Sequence, residues 1–183
     1  GEALVRWVHP DKGQILPGKF IPVLEQNGLI SEVDKYIWEK ACKQLKRWKE
    51  MGREDLYISV NISPKDFYFL DIYPIFTGLI EKYGINPGNL RLEITESALS
   101  INLERQLDLI NKLRAYGFSV EMDDFGSGYS SLSMLKDTNV DTLKVDMGFL
   151  QNTADVEKGR NILEMVVGLC KKLNLRVVVE GVE

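Results

Sequence analysis

Strand-like and helix-like stretches alternate along almost the whole of this chain, and that alternation constrains its fold more than any other feature. Six short apolar segments read as strands: 2–7 (EALVRW), 56–61 (LYISVN), 90–94 (LRLEI), 118–122 (FSVEM), 141–145 (DTLKV) and 176–180 (RVVVE). Apolar residues at helical spacing fill the intervals. Segment 31–50 carries Val33, Ile37, Ala41, Leu45 and Trp48, with Ser31 as the expected N-cap. Segment 64–83 opens on Ser63-Pro64, a cap followed by proline. Segment 101–116 has Ile101, Leu107, Ile110 and Leu113, then Gly117 as a stop. A short helix fits 130–136, and a longer one fits 156–173 with Val156, Ile162, Met165, Val166, Leu169 and Leu173.

Repeated strand–helix–strand units join by right-handed crossovers into a parallel sheet. No G-x-G-x-x-G follows the first strand, so a dinucleotide fold has no support there. The 183 residues suit one domain. The expected class is α/β, a (β/α)8 TIM-like barrel of which this chain holds about six parallel strands.

Polar residues collect where these strands end. Glu2 and Arg6 lie in the first, and Asn61, Glu93, Asp123 with Asp124, Lys144 with Asp146, and Glu180 follow in turn. The C-terminal strand ends are where a β/α barrel builds its active site. Taken singly, each residue has a structural reading: Asp-Asp before glycine as a turn or cap, Asn61 as a cap before Ser63-Pro64, Lys144 as an ion-pair partner, Glu180 as a turn residue beside Gly181. Converging on one rim, the acidic groups repel strongly unless cations intervene. Glu2, Asn61, Glu93, Asp123 and Asp124 are hard oxygen donors without a Cys or His cluster, which favours Mg²⁺ or Mn²⁺ over zinc or copper. Adjacent aspartates can serve two ions about 3.5–4 Å apart, the arrangement that activates water in phosphodiester cleavage.

A net charge of −4 excludes an overall basic field for DNA or RNA polymers, while leaving a small nucleotide possible through bound metal. Cys42 and Cys170 show no spacing pattern and are expected as reduced thiols. No apolar run approaches the roughly 18 residues of a membrane span. A cytoplasmic domain without leader or membrane contact is therefore expected. His9, in "WVHPDKG", reads as a loop residue.

These motifs resemble the EAL domain, the cyclic di-GMP phosphodiesterase family of bacterial signalling. Its name-giving tripeptide is Glu2-Ala3-Leu4, and "GQILPGKFIPVLEQNGLI" at 13–30 looks like the loop and helix that follow. "ISVNIS" (58–63), "LEITES" (92–97), "DDFGSGYSSL" (123–132), "LKVD" (143–146) and "VVVEGVE" (177–183) come in the family's order across essentially the whole chain. The resemblance implies hydrolysis of cyclic di-GMP to linear pGpG with two Mg²⁺ or Mn²⁺ ions. It implies Glu2, Asn61, Glu93 and Asp123 as metal ligands, with Asp124 and Glu183 serving the second ion. Arg6, Leu4 and Asp146 would meet substrate, Lys144 would sit by the attacking water, Glu180 would be the general base, and Glu96 would brace the loop 125–131. The runner-up is a cyclic di-GMP receptor without catalysis; another two-metal phosphoesterase is a third reading. Homodimerisation, and GGDEF or sensor domains in the parent chain, are further expectations.

The family barrel also has a strand before Glu2 and closing segments after Glu183, so the domain at 1–183 is expected to lack both. Glu121 stands where the family leads one to expect a small or apolar residue. It shares strand parity with Asp123, as Arg91 does with Glu93. An Arg91–Glu121 ion pair flooring the pocket is the expectation.

Overall fold

A computed structural model describes residues 1–100, 102–126, 135, 138–146 and 156–181. Its N-terminal segment corrects the expected first strand. β1 (Trp7–His9) and β2 (Gly13–Ile15) pair antiparallel in a hairpin outside the main sheet. His9 Nδ1 accepts the Asp11 and Lys12 N–H groups at 3.1 and 3.3 Å, and Gly13 takes a φ of 69°. This turn commits the backbone of Trp7–His9 to the hairpin. Of segment 2–7, only Glu2 meets the sheet, in a parallel bridge with Ser59. Ala3 N–H donates to the Ser59 carbonyl and Ser59 N–H to the Gly1 carbonyl, both at 2.8 Å.

α1 (Pro17–Gln26) and α2 (Ile30–Glu50) precede β3 (Ile58–Ile62). α2 begins one residue before Ser31, with Leu29 at the N-cap, so Ser31 is buried in the first turn rather than capping. The single helix expected over 64–83 is two, α3 (Asp66–Phe69) and α4 (Ile72–Tyr83). Leu70 is extended between them (φ −124°, ψ 147°), and Pro74 falls in the first turn of α4, where its missing N–H has no partner to lose. β4 (Leu90–Thr95), α5 (Leu103–Tyr116), β5 (Ser119–Phe125), β6 (Thr142–Asp146), α6 (Val156–Lys172) and β7 (Arg176–Glu180) complete the order. Of the helix expected over 130–136, only Leu135 lies among the described residues, and it is buried.

The sheet has five parallel strands in sequential order, β3-β4-β5-β6-β7, with the Glu2 bridge marking where a sixth would stand. Its two faces differ sharply. Val60, Ile62, Leu92, Ile94, Val120, Met122, Leu143 and Val145 point outward and build the core with Trp38, Phe76, Leu113 and Cys170 from the helices. Residues of the other parity are mostly polar: Ser59 and Asn61, Arg91 and Glu93, Glu121 and Asp123, Thr142 and Lys144. The concave side of the sheet is therefore hydrophilic from floor to rim.

Candidate active site

Most of the predicted site residues are carried to one end of the sheet. Asn61 closes β3: its Nδ2 donates to Glu2 Oε1 at 2.9 Å, while its carbonyl accepts Trp38 Nε1–H at 2.9 Å. The fully buried Trp38 thus fixes the backbone beneath the Asn61–Glu2 contact.

Lys144 is the hub of the rim. It is buried, and its Nζ lies 3.0 Å from Glu93 Oε1, 2.9 Å from Glu180 Oε1 and 3.4 Å from Asp123 Oδ1. Burial opposes its charge, but the hydrogen bonds to Glu180 and Glu93 outweigh burial and hold the ammonium above the ordinary lysine range. Removal from water lifts the Glu93 carboxyl to about 7 against the pull of Lys144, and the charges of Glu2 and Asp123 add to the rise.

The paired aspartates diverge. The β5–β6 register shifts between Met122 and Phe125, and Asp124 has a positive φ of 54°. Asp123 faces Lys144 and accepts the Asp124 N–H at 2.9 Å, whereas Asp124 is exposed. Burial raises the Asp124 carboxyl, helped by the neighbouring charges of Asp123, Asp146 and Glu180. Asp146 pairs in register with Glu180. Glu96 is buried in a 3₁₀ turn directly after β4. Leu4 and the exposed Arg6 line a cavity of about 240 Å³ with Asn61 and Thr95, and Arg6 Nη1 donates to the Val5 carbonyl at 2.9 Å. Glu183 and residues 127–131 of the predicted loop lie outside the described residues.

The expected ion pair below the rim is present: Arg91 Nη1 meets Glu121 Oε1 at 2.8 Å. Register sets Glu121 beside Glu93 and Asp123 beside Thr95, so the guanidinium reaches up its own face to make the contact.

The donor chemistry of this rim fits a hard divalent cation. Glu93 Oε2 is buried and has no hydrogen-bond partner, which leaves one carboxylate oxygen in want of a positive charge. Among the described residues, however, no three His, Cys, Asp or Glu side chains gather closely enough to hold an ion. The Lys144 ammonium stands among Glu93, Asp123 and Glu180 and offsets part of their charge.

Sequence reasoning missed Asp34, which lines the Leu4–Arg6 cavity. Burial, then the neighbouring carboxylates of Asp66 and Glu25, push its carboxyl up to about 8. The signal was there in the sequence: Asp34 falls midway between Ile30 and Trp38 on the buried stripe of α2.

A family model described as the EAL domain matches residues 1–183. The chain belongs to the EAL domain family. EAL domains have a TIM-barrel fold, of which the five-stranded sheet is an arc. The chain is 37% identical over 182 residues to the Pseudomonas aeruginosa bifunctional diguanylate cyclase/cyclic di-GMP phosphodiesterase MucR, and 36% identical to the cyclic di-GMP phosphodiesterase NbdA of the same species. All of this chain is covered in both matches, against 27% of MucR and 23% of NbdA, so the chain spans about a quarter of those relatives. A solved structure of the MucR phosphodiesterase in complex with c-di-GMP superimposes with a TM-score of 0.91 at 37% identity, covering the whole of this chain and 74% of that one. Among the described residues no helix is long and apolar enough to cross a membrane.

Proposed function

We propose that this domain hydrolyses one phosphodiester bond of cyclic di-GMP to give linear pGpG. The carrying observation is the meeting of Lys144 with Glu93, Asp123 and Glu180 at the strand ends, beside the Asn61–Glu2 contact. Membership of the EAL family and likeness to relatives described as cyclic di-GMP phosphodiesterases support the same reading.

Glu2, Asn61, Glu93 and Asp123 would hold one Mg²⁺ or Mn²⁺ ion, and Asp124 and Glu183 would serve a second. Such ions lower the pKa of water and neutralise charge on a phosphoryl group. The remaining work falls to the chain's own side chains. Lys144 provides a fixed positive charge for the non-bridging phosphate oxygens. Glu180, 42% exposed and hydrogen-bonded to Lys144, can accept the proton of an attacking water. Arg6 and Leu4 flank the rim on the side of the 240 Å³ cavity, where the substrate would be oriented. Glu96, buried behind β4, would brace the loop after the aspartates.

The relatives are several times longer than this chain. Cytoplasmic action beside GGDEF or sensor domains, as a homodimer, belongs to the same proposal. Incubation with cyclic di-GMP and Mg²⁺ or Mn²⁺, with chromatographic detection of pGpG, tests the central reading. Binding without product would sink the hydrolase and favour the receptor.

A further inference from the structure

We infer that Ser59, Arg91 and Glu121 form a positioning layer that sets the geometry of the rim above them. The inference rests on reading that rim as the metal-binding site of a phosphodiesterase. Each member stands two residues before a rim residue on the same strand: Ser59 before Asn61, Arg91 before Glu93, Glu121 before Asp123. A separation of two keeps each pair on one face of the sheet: Ser59 and Arg91 are register partners one step below Asn61 and Glu93, and Glu121, in register with Glu93, lies one step below Asp123.

The three side chains are joined across three strands. Arg91 Nη1 binds Glu121 Oε1 at 2.8 Å, and Ser59 Oγ donates to Glu121 Oε2 at 3.0 Å. The guanidinium carbon sits 3.3 Å above the ring centre of Tyr57, which locks the fork in one orientation. Both oxygens of Glu121 are therefore held, one from β3 and one from β4. Ser59 also forms the backbone bridge that carries Glu2. One buried carboxylate thus fixes the relative height of the segments bearing Glu2, Asn61, Glu93 and Asp123.

The charge matters as well as the geometry. Glu121 is the register neighbour of Glu93, and without Arg91 two buried carboxylates would lie side by side. A buried ion pair contributes little stability that apolar packing could not replace. Stability and positioning can therefore be separated by experiment.

The test uses the protein carrying this chain and two readouts, Mn²⁺ affinity from the free-ion EPR signal and thermal unfolding. Arg91→Met alone should lower both, because Glu121 is left buried and unpaired. Arg91→Met with Glu121→Leu should unfold near the parental temperature yet bind Mn²⁺ about tenfold or more weakly. Ser59→Ala, which takes the donor from Glu121 Oε2, should weaken Mn²⁺ binding about threefold and lower the unfolding temperature less than Arg91→Met does. A double variant that recovers parental Mn²⁺ affinity along with its stability would overturn the inference. So would unchanged affinity in Ser59→Ala, which decides the matter if the double variant does not fold. A parent chain that binds no Mn²⁺ would instead overturn the reading of the rim itself, and the inference with it.

Discussion

Lys144 meets Glu93 at 3.0 Å although their strands are separated by β5. The contact crosses the concave face, and Lys144 holds Glu180 and Asp123 at the same time. A single buried ammonium is thus the shared counter-charge of three carboxylates.

Replacing it exposes that balance. In Lys144→Met the three carboxylates lose their counter-charge, so the cation-free protein should unfold at a lower temperature than the parent. Mg²⁺ or Mn²⁺ should then raise the unfolding temperature more in the variant than in the parent, while turnover falls by about a hundredfold or more. Thermal melts with and without metal check this. Equal metal-induced shifts in the two proteins would count against Lys144 as the internal counter-ion.

Glu93→Gln separates function from stability. The parent keeps a carboxylate buried with one oxygen unpartnered. An amide of the same shape removes that charge, so the variant should unfold at the same temperature or be about 1 kcal/mol more stable. Hydrolysis of cyclic di-GMP should nonetheless fall about a hundredfold or more. A large drop in stability would mean that Glu93 serves the fold first.

The strands and most rim residues were legible in the sequence because they follow simple periods. Alternation of two gave Arg91 with Glu93 and Glu121 with Asp123, and from that the ion pair at 2.8 Å. What was not legible depended on competition for backbone partners or on burial. Segment 2–7 has the composition of a strand, but the turn closed by His9 draws Trp7–His9 into a hairpin. The break at Leu70 did leave a trace in Pro74, which a continuous helix from Pro64 would place in its interior at the loss of a hydrogen bond and which a new helix from Ile72 holds in its first turn. Asp34 lies on α2 between Ile30 and Trp38, and what sets it apart from a solvated helical acid is its burial beside Asp66 and Glu25, which only the packed fold supplies. Lys144 was expected beside a water, and its role as the meeting point of three carboxylates needed the fold.

The lower end of the sheet depends on Asp141. Arg114 grips it through Nη2 at 2.7 Å and Nε at 3.1 Å, and Val120 N–H donates to it at 2.9 Å. Burial raises its carboxyl, but Arg114 and the Val120 amide outweigh burial and leave it below the usual carboxylate range. Asp141→Ala should cost roughly 2 kcal/mol at pH 7, because a half-buried guanidinium and a backbone N–H lose their acceptor. A depressed native pKa contributes stability above the unfolded value, and that contribution is lost as pH falls through the native one. The gap between parent and variant should therefore close in strong acid. Denaturant titrations across the acid range measure it, and a gap independent of pH would contradict the assignment.

Asp34 should do the reverse. Its carboxyl rises from 3.8 to about 8, so the native state binds a proton that the unfolded chain has released over that interval. Stability from this group is full below pH 3.8 and declines as pH rises toward about 8. Asp34→Asn keeps the shape and abolishes the titration. At pH 3 the variant should match the parent closely, and by pH 8.5 it should be more stable, by about 1.4 kcal/mol for each pKa unit of rise that the group retains in solution. Direct observation of the carboxyl by NMR supplies the pKa independently of stability. An Asp34 that titrates near 4, or parallel stability curves from pH 5 to 8.5, would show that the site is open to water and that Asp66 and Glu25 leave its proton affinity unchanged.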